Sequence, residues 1–356
     1  MNRVKVGILG ATGMVGQRFV QLLANHPWFQ VTEVAASERS AGKTYGEVME
    51  GRWKLTTEIP HEVRSLVVKE CSPGLDCRVV FSALDADIAG PIEKAFAAAG
   101  YVVSSNSRNY RMEPDVPLLI PEVNPEHLGL IAVQKKNRGW EGMIVTNPNC
   151  STIHLVMVLK PLMQFGLSQL FVATMQALSG AGYPGVASLD ILDNVIPYIG
   201  GEEEKVQTET LKLLGAFARG KVTPAPIVLS AHCNRVSVSD GHTECVSVKL
   251  DAKPSLADVT RAMQDFNPLN GMGLPSSPAH PIIVRQEANR PQPRMDRDLE
   301  KGMASVVGRI RECPLLGYKF VLLGHNTIRG AAGAAILNAE LMMKKGYIDR
   351  YNRTAI

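Results

Sequence analysis

The chain has 356 residues, with 38 Lys or Arg against 34 Asp or Glu and a formal charge of +4. At 45% hydrophobic and 20% charged it has the composition of a globular protein with a real core, in two ordinary domains or one large one. Its basic residues are scattered, no apolar stretch reaches the length of a membrane span, and six cysteines in a chain this long are not a disulfide framework, so a nucleic-acid arm, a membrane anchor and a disulfide scaffold are all excluded.

The chain opens MNRVKVGILGATG, a short apolar run that leads straight into a glycine turn. A signal peptide needs a longer apolar region and a small-residue cleavage site, so a cytoplasmic protein is expected. Val4 to Leu9 reads as a buried parallel strand. Gly10, Gly13 and Gly16 follow in a G-x-x-G-x-x-G turn, and Val15, Phe19, Val20, Leu22 and Leu23 then recur at helical spacing. Glycines placed between a strand and a helix permit a tight turn, a close approach of backbone to pyrophosphate, and a helix N-terminus aimed at the phosphates.

The second strand, 29–37, decides which dinucleotide fits. Its end reads AASERS, without the acidic residue at the strand end that would take a ribose 2′-hydroxyl. Arg39, flanked by Ser37 and Ser40, suits a 2′-phosphate, which favours NADP. Arg39 can equally be a solvated loop charge, with Glu38 beside it. Further strands are expected at 77–84 and 100–107, with a helix over 88–100 between them. This alternation predicts an α/β fold with an N-terminal Rossmann-type, doubly wound sheet. Cys71 and Cys77 are six apart with no second pair, so no metal site is expected.

Beyond residue 150 the texture changes, and a second, α+β domain is expected. Strand-like runs fall at 169–178, 226–236 and 243–250, and helix-like ones at 202–217 and 255–265. A Pro-rich stretch, 275–300, reads as loop or oligomer contact, and 329–346 as a small-residue helix. At the border stands TNPNCSTIHL, 146–155. Pro148 fixes the backbone, Asn147 or Asn149 can cap the apolar helix that follows, and that helix should end or kink near Pro161. Cys150 then sits at a helix N-terminus, where the dipole and free N–H groups favour a thiolate and lower its pKa, as a nucleophile requires. His242 is the candidate base. It follows a turn at Ser239–Gly241 between two alternating runs, and a hairpin there would bring it beside Arg235, the latter clamping a carboxylate. His154, on the apolar helix, reads as a core histidine.

Taken together, these residues resemble the aspartate-β-semialdehyde dehydrogenase family, in its archaeal and fungal-like branch. The resemblance covers nearly the whole chain and rests on GATGMVG (10–16), NYRMEPDVPLLIPEVN (109–124), TNPNCST (146–152), QALSGAGYPG (176–185), GEEEKVQTET (201–210), NRVSVSDGHT (234–243) and GHNTIRGAAG (324–333). It implies reductive dephosphorylation of aspartyl phosphate to aspartate semialdehyde through a Cys150 thioester, a step in lysine, threonine and methionine biosynthesis. Gln176 would orient the acyl group and His242 act as acid/base. Arg235 would hold the substrate carboxylate and Glu202 its ammonium, with Glu203 and Glu204 as alternatives in register. Lys205, Arg111 and Asn149 would bind phosphate. Ser179, Gly180, Gly182 and Asn326 would lie near the nicotinamide. The rest of the expected NADP set is Gly10, Ala11, Thr12, Gly13, Met14, Val15, Ser37, Arg39, Ser40 and Ser82.

The family fold also implies a nucleotide-binding domain of residues 1–149 plus 325–356, a catalytic and oligomerisation domain of 150–324, and a homodimer or homotetramer. The alternatives are a malonyl- or succinyl-CoA reductase, a more distant N-acetyl-glutamyl-phosphate reductase, and a catalytically silent NADP-binding sensor.

Overall fold

The structure is a computed structural model and describes residues 3–349. The first sheet has six parallel strands: β1 (Val4–Leu9), β2 (Phe29–Ala36), β3 (Val68–Glu70), β4 (Val79–Ser82), β5 (Val102–Ser105) and β6 (Met143–Thr146). Their order is β3-β2-β1-β4-β5-β6. The chain winds outward from β1 through β2 and β3, then returns to β4 and continues the other way. A crevice therefore opens beyond the ends of β1 and β4, where the order reverses. Strands β4, β5 and β6 are buried along their whole length. That is why they read as apolar runs with no alternation: helices cover both faces. Strands β3 and β6, absent from the sequence reading, are only three and four residues long.

The glycine turn forms as expected between β1 and the helix Met14–Leu23. Gly10 has φ +73°, and a Cβ on Gly16 would lie 2.2 Å from the Gly10 carbonyl oxygen. No side chain larger than hydrogen fits there, and the helix sits correspondingly close to the turn. The helix predicted over 88–100 is observed as Ala86–Ala98.

A small hairpin, β8 (Ala216–Ala218) with β9 (Lys221–Thr223), lies apart from the second large sheet. That sheet is mixed, in the order β10-β7-β11-β14-β13-β12. Its strands are β7 (Leu167–Gln176), β10 (Val228–Arg235), β11 (His242–Leu250), β12 (Ile282–Arg285), β13 (Ser305–Cys313) and β14 (Gly317–Gly324). Here the structure corrects the expected hairpin. β10 and β11 do not pair with each other, because β7 lies between them, parallel to β10 and antiparallel to β11. Residues 236–238 instead bond to the chain at the end of β7: Val236 N–H donates to Gln176 O and Leu178 N–H to Val238 O. The pattern of alternation reports which face of a strand is buried. It does not report which strand lies alongside, so an inserted neighbour leaves no local trace.

Two further expectations change. The stretch 275–300 holds β12 and a short helix, Pro293–Asp296, whose buried Asp296 receives Arg285 and Arg290. The last helix begins with one wide π turn, Ile328–Ala332, before Gly333–Lys344. Its Ile336, Leu337 and Leu341 pack into the same core as β1 and β2, whereas Ala334 joins the core under the second sheet. Among the described residues no helix is long and apolar enough to cross a membrane.

Arg329, fully buried in the π turn, pairs with the equally buried Glu122 at 2.7 Å. Removing one partner strands a charge in the core. Arg329→Met and Glu122→Gln should each destabilise the protein by about 3–5 kcal/mol, while the double variant Glu122→Leu/Arg329→Met should recover most of that loss. Denaturant unfolding of the three variants checks this, and single variants as stable as the parent would show that the pair contributes nothing.

Candidate active site

The register of the second sheet builds the site. Arg235 at the end of β10 is directly opposite Gln176 at the end of β7, and His242 begins β11 next to them. Three side chains from distant sequence positions thus emerge at one edge. Onto that edge points the buried helix Cys150–Leu159. Of the two asparagines expected to cap it, Asn149 does so, its side-chain oxygen accepting from the N–H groups of Ser151 (3.0 Å) and Thr152 (3.2 Å). Asn147 instead donates to Asn106 and to the Ala331 carbonyl.

Cys150 Sγ lies 3.2 Å from His242 Nε2. The backbone N–H of Ala177 donates to His242 Nδ1 at 3.0 Å. Nδ1 is therefore an acceptor, the neutral ring carries its proton on Nε2, and the hydrogen bond runs from Nε2–H to sulphur. Burial, with help from Arg235 and His325, lowers His242 to about 3. Burial and then the Glu202 carboxylate push the Cys150 thiol up to about 12, against the opposing pull of Arg111, Lys205 and Arg235. The pair is thus a neutral imidazole and a neutral thiol. The sequence leads one to expect a depressed thiol pKa. Desolvation outweighs the helix terminus here, because sulphur is enclosed as well as capped.

The acidic segment is resolved by the helix Glu202–Leu213. Glu202 turns inward, accepting from Asn149 Nδ2 (2.7 Å), Gln176 Nε2 (3.2 Å) and Lys205 Nζ (2.5 Å). Burial raises its carboxyl, but Lys205, Asn149 and Gln176 together outweigh that and hold it below the usual range. Glu203 instead accepts from Cys233 N–H, and Glu204 is exposed. The same helix face continues through Glu209 and Lys212, spaced three, four and three residues along from Glu202. Glu209 accepts the Asn149 backbone N–H at 2.6 Å and pairs with Arg111 at 2.9 Å. Arg111 also donates to the Asn106 carbonyl, and its buried Nε has no partner among the described residues. Lys212 donates to the carbonyls of Arg111, Glu113 and Val116 and so fixes the loop that carries Arg111; burial lowers it to about 8.

The sequence reading missed Glu209 and Lys212, although a charged stripe running on from EEEK was visible at helical spacing. It also missed Glu244, two residues beyond His242. That side chain is fully buried with neither oxygen hydrogen-bonded among the described residues, and burial then Glu202 raise it well above the carboxylate range.

Arg235 donates to the Ala177 carbonyl at 2.7 Å. Gly180 lies against both groups: a Cβ there would be 2.8 Å from Arg235 Nη1 and 3.1 Å from His242 Nε2. Asn326 ties the neighbouring turns together, donating to Ser179 Oγ and accepting from Gly241 N–H. His154 is a core residue as read, against Ser305 Oγ at 2.9 Å.

Beside this centre lies the crevice of the first sheet, a cleft of about 940 Å³. Gly10, Thr12, Gly13, Met14 and Val15 line it, together with Ser37, Glu38, Asp85 and the segment Ala181–Tyr183 from the catalytic side. Volume and glycine cradle fit a dinucleotide. Ala11 and Ser82 are fully buried beneath it. Ser40 is buried, and Arg39 is exposed outside the lining, at the end of β2.

Two family models match the chain: the semialdehyde dehydrogenase NAD-binding domain over residues 5–131 and the semialdehyde dehydrogenase dimerisation domain over residues 159–329. The aspartate-semialdehyde dehydrogenase of Archaeoglobus fulgidus is 58% identical over 97% of this chain and all of its own length. That of Methanothermobacter thermautotrophicus is 56% identical over 95% of this chain and 99% of its own. The crystal structure of aspartate-semialdehyde dehydrogenase with NADP from Candida albicans superposes with a TM-score of 0.89 at 46% identity, covering 98% of this chain and 100% of that one.

A thiol held protonated by burial reacts only through its small thiolate fraction. The alkylation rate of Cys150, followed on its own peptide by mass spectrometry, should rise about tenfold per pH unit through pH ~9. A plateau already reached near neutrality would show that the helix terminus and His242 prevail over burial.

Proposed function

The chain belongs to the aspartate-semialdehyde dehydrogenase family, and from that premise we propose that it reduces L-aspartyl 4-phosphate to L-aspartate 4-semialdehyde with NADPH, releasing phosphate. The observation that carries this reading is the convergence of Cys150 and His242, 3.2 Å apart, with Glu202 and Gln176 at one sheet edge. Cys150 Sγ bonds to the acyl carbon as the bond from that carbon to the phosphate oxygen breaks, and the thiol proton leaves with phosphate. This suits a thiol that starts protonated. Gln176 orients the acyl group. NADPH, when bound, supplies the hydride that a thioester accepts and a carboxylate does not. As the carbon–sulphur bond then breaks, the His242 Nε2–H hydrogen-bonds first to the oxygen on that carbon and then to the departing thiolate, and the thiolate regains its proton from solvent.

Arg235 takes the substrate carboxylate and Glu202 its ammonium. Lys205, Arg111 and Asn149 serve the phosphate, and the unpaired Nε of Arg111 supports that assignment. The glycine turn, with Ser82, Ser179, Gly180, Gly182 and Asn326, holds the cofactor, and Arg39 with Ser37 and Ser40 takes its 2′-phosphate. We assign residues 1–149 with 325–356 to the nucleotide-binding domain and 150–324 to the catalytic and oligomerisation domain. We also place the enzyme in the cytoplasm as a homodimer or homotetramer.

The test is phosphate-dependent oxidation of aspartate semialdehyde, with NADP and NAD in parallel. Cys150→Ala should abolish turnover. Glu202→Gln loses a charge-assisted contact of about 1.5–3 kcal/mol, so KM for the aldehyde should rise by roughly one to two orders of magnitude. Succinic semialdehyde, which lacks the ammonium, should scarcely react, and Lys205→Ala should raise KM for phosphate more than for the aldehyde. Equal use of succinyl-CoA or malonyl-CoA would overturn the assignment of residues 202–205.

A further inference from the structure

Neither the sequence motifs nor the catalytic centre uses Gly51, Arg52 or Lys54, yet these line the nucleotide cleft. We propose that Lys54, with Arg52 beside it, is the cationic contact for the pyrophosphate of the bound dinucleotide, and that Lys54 is handed to that contact from the face of Tyr183. This rests on the reading that the cleft holds a nicotinamide dinucleotide.

The charge of the cleft calls for such a contact. Among the described residues lining it, the carboxylates are Glu38, Glu70 and Asp85, and the cations are Arg52 and Lys54. A pyrophosphate is dianionic, and a helix N-terminus offers the equivalent of only about half a charge. Without Lys54 and Arg52 the ligand would face three lining carboxylates with only the helix N-terminus to offset them. Arg39 lies outside this lining, at the end of β2.

Placement selects the pyrophosphate over the 2′-phosphate. Gln17, buried in the first turns of helix Met14–Leu23, donates through Nε2 to the carbonyls of Thr12 (3.1 Å) and Arg52 (3.2 Å), and accepts from Lys54 N–H at 2.8 Å. One buried amide thus straps residues 52–54 against the glycine turn, where a pyrophosphate meets the helix N-terminus. The 2′-phosphate belongs at the end of β2, beyond Ser37.

Lys54's own partners are readily exchanged. Its Nζ donates to the Gly51 carbonyl at 3.1 Å and stands 4.9 Å over the Tyr183 ring. An exposed cation–π contact is weaker than a charge-assisted bond to phosphate. Tyr183 follows Ala181 and Gly182, which line the same cleft from the catalytic side. The contact therefore spans the cleft mouth, and a phosphate entering beneath it finds an ammonium already in position.

Lys54 is exposed, so Lys54→Met should fold normally, which its unfolding temperature checks. Calorimetric binding of NADP and of NAD to the full-length protein then separates the roles. With Lys54→Met both should weaken by the same factor, about tenfold, leaving their ratio unchanged. Arg39→Met should instead weaken NADP alone. Tyr183→Leu, which releases the ammonium, should leave binding equal or tighter. Unchanged affinities in Lys54→Met, a loss confined to NADP, or a loss in Tyr183→Leu as large as in Lys54→Met would each overturn the proposal. Failure of the parent protein to bind either dinucleotide would overturn the cofactor reading itself, and this one with it.

Discussion

The contact between Cys150 and His242 is the constraint around which the molecule is arranged. It joins the first turn of a buried helix to the first residue of a strand 92 positions away. Neither end is adjustable. Asn149 caps the helix with its side chain, and the Ala177 backbone fixes the imidazole by donating to Nδ1. The tautomer, and with it the direction of the hydrogen bond to sulphur, is set by a main-chain amide, a group that cannot change its protonation state.

Glycine allows the neighbouring chain to come this close. A Cβ on Gly330, in the π turn that opens the last helix, would lie 2.9 Å from Cys150 Cβ, and one on Gly324 would fall 2.0 Å from the His154 ring. The C-terminal helix therefore packs against the back of the cysteine while its apolar face completes the core of the nucleotide sheet. The same short segment touches the reacting centre and the cofactor side. The buried Arg329–Glu122 pair holds that segment in register.

Around the sulphur the charges are arranged to cancel. Helix Glu202–Leu213 presents Glu, Lys, Glu and Lys along one stripe, and each is matched: Glu202 by Lys205, Glu209 by Arg111, and Lys212 by three carbonyls. A buried charge is tolerated only with such partners. Glu244, which has none among the described residues, is driven towards its neutral form. The result is a pocket whose ionised groups are already hydrogen-bonded before substrate arrives, so little reorganisation is left for the reaction itself.

Much of this was legible in the sequence, and the limits have physical causes. The glycine turn, the first helix, the cap before Cys150 and the helix that begins at 202 all depend on neighbours within about four residues, the range over which dihedral preferences and side-chain capping act. The residue types of the centre, a cysteine between asparagines and a histidine after a turn, were visible for the same reason. Which strand lies between β10 and β11 was not visible, because pairing is decided by packing across the whole sheet. The thiol's protonation was not visible either, because desolvation depends on everything that encloses the sulphur, while the helix terminus that favours the thiolate is local. Sequence alone thus determined which groups could react; the tertiary structure decided which of them meet, and in what charge state, since burial and strand order arise only when distant segments are packed together.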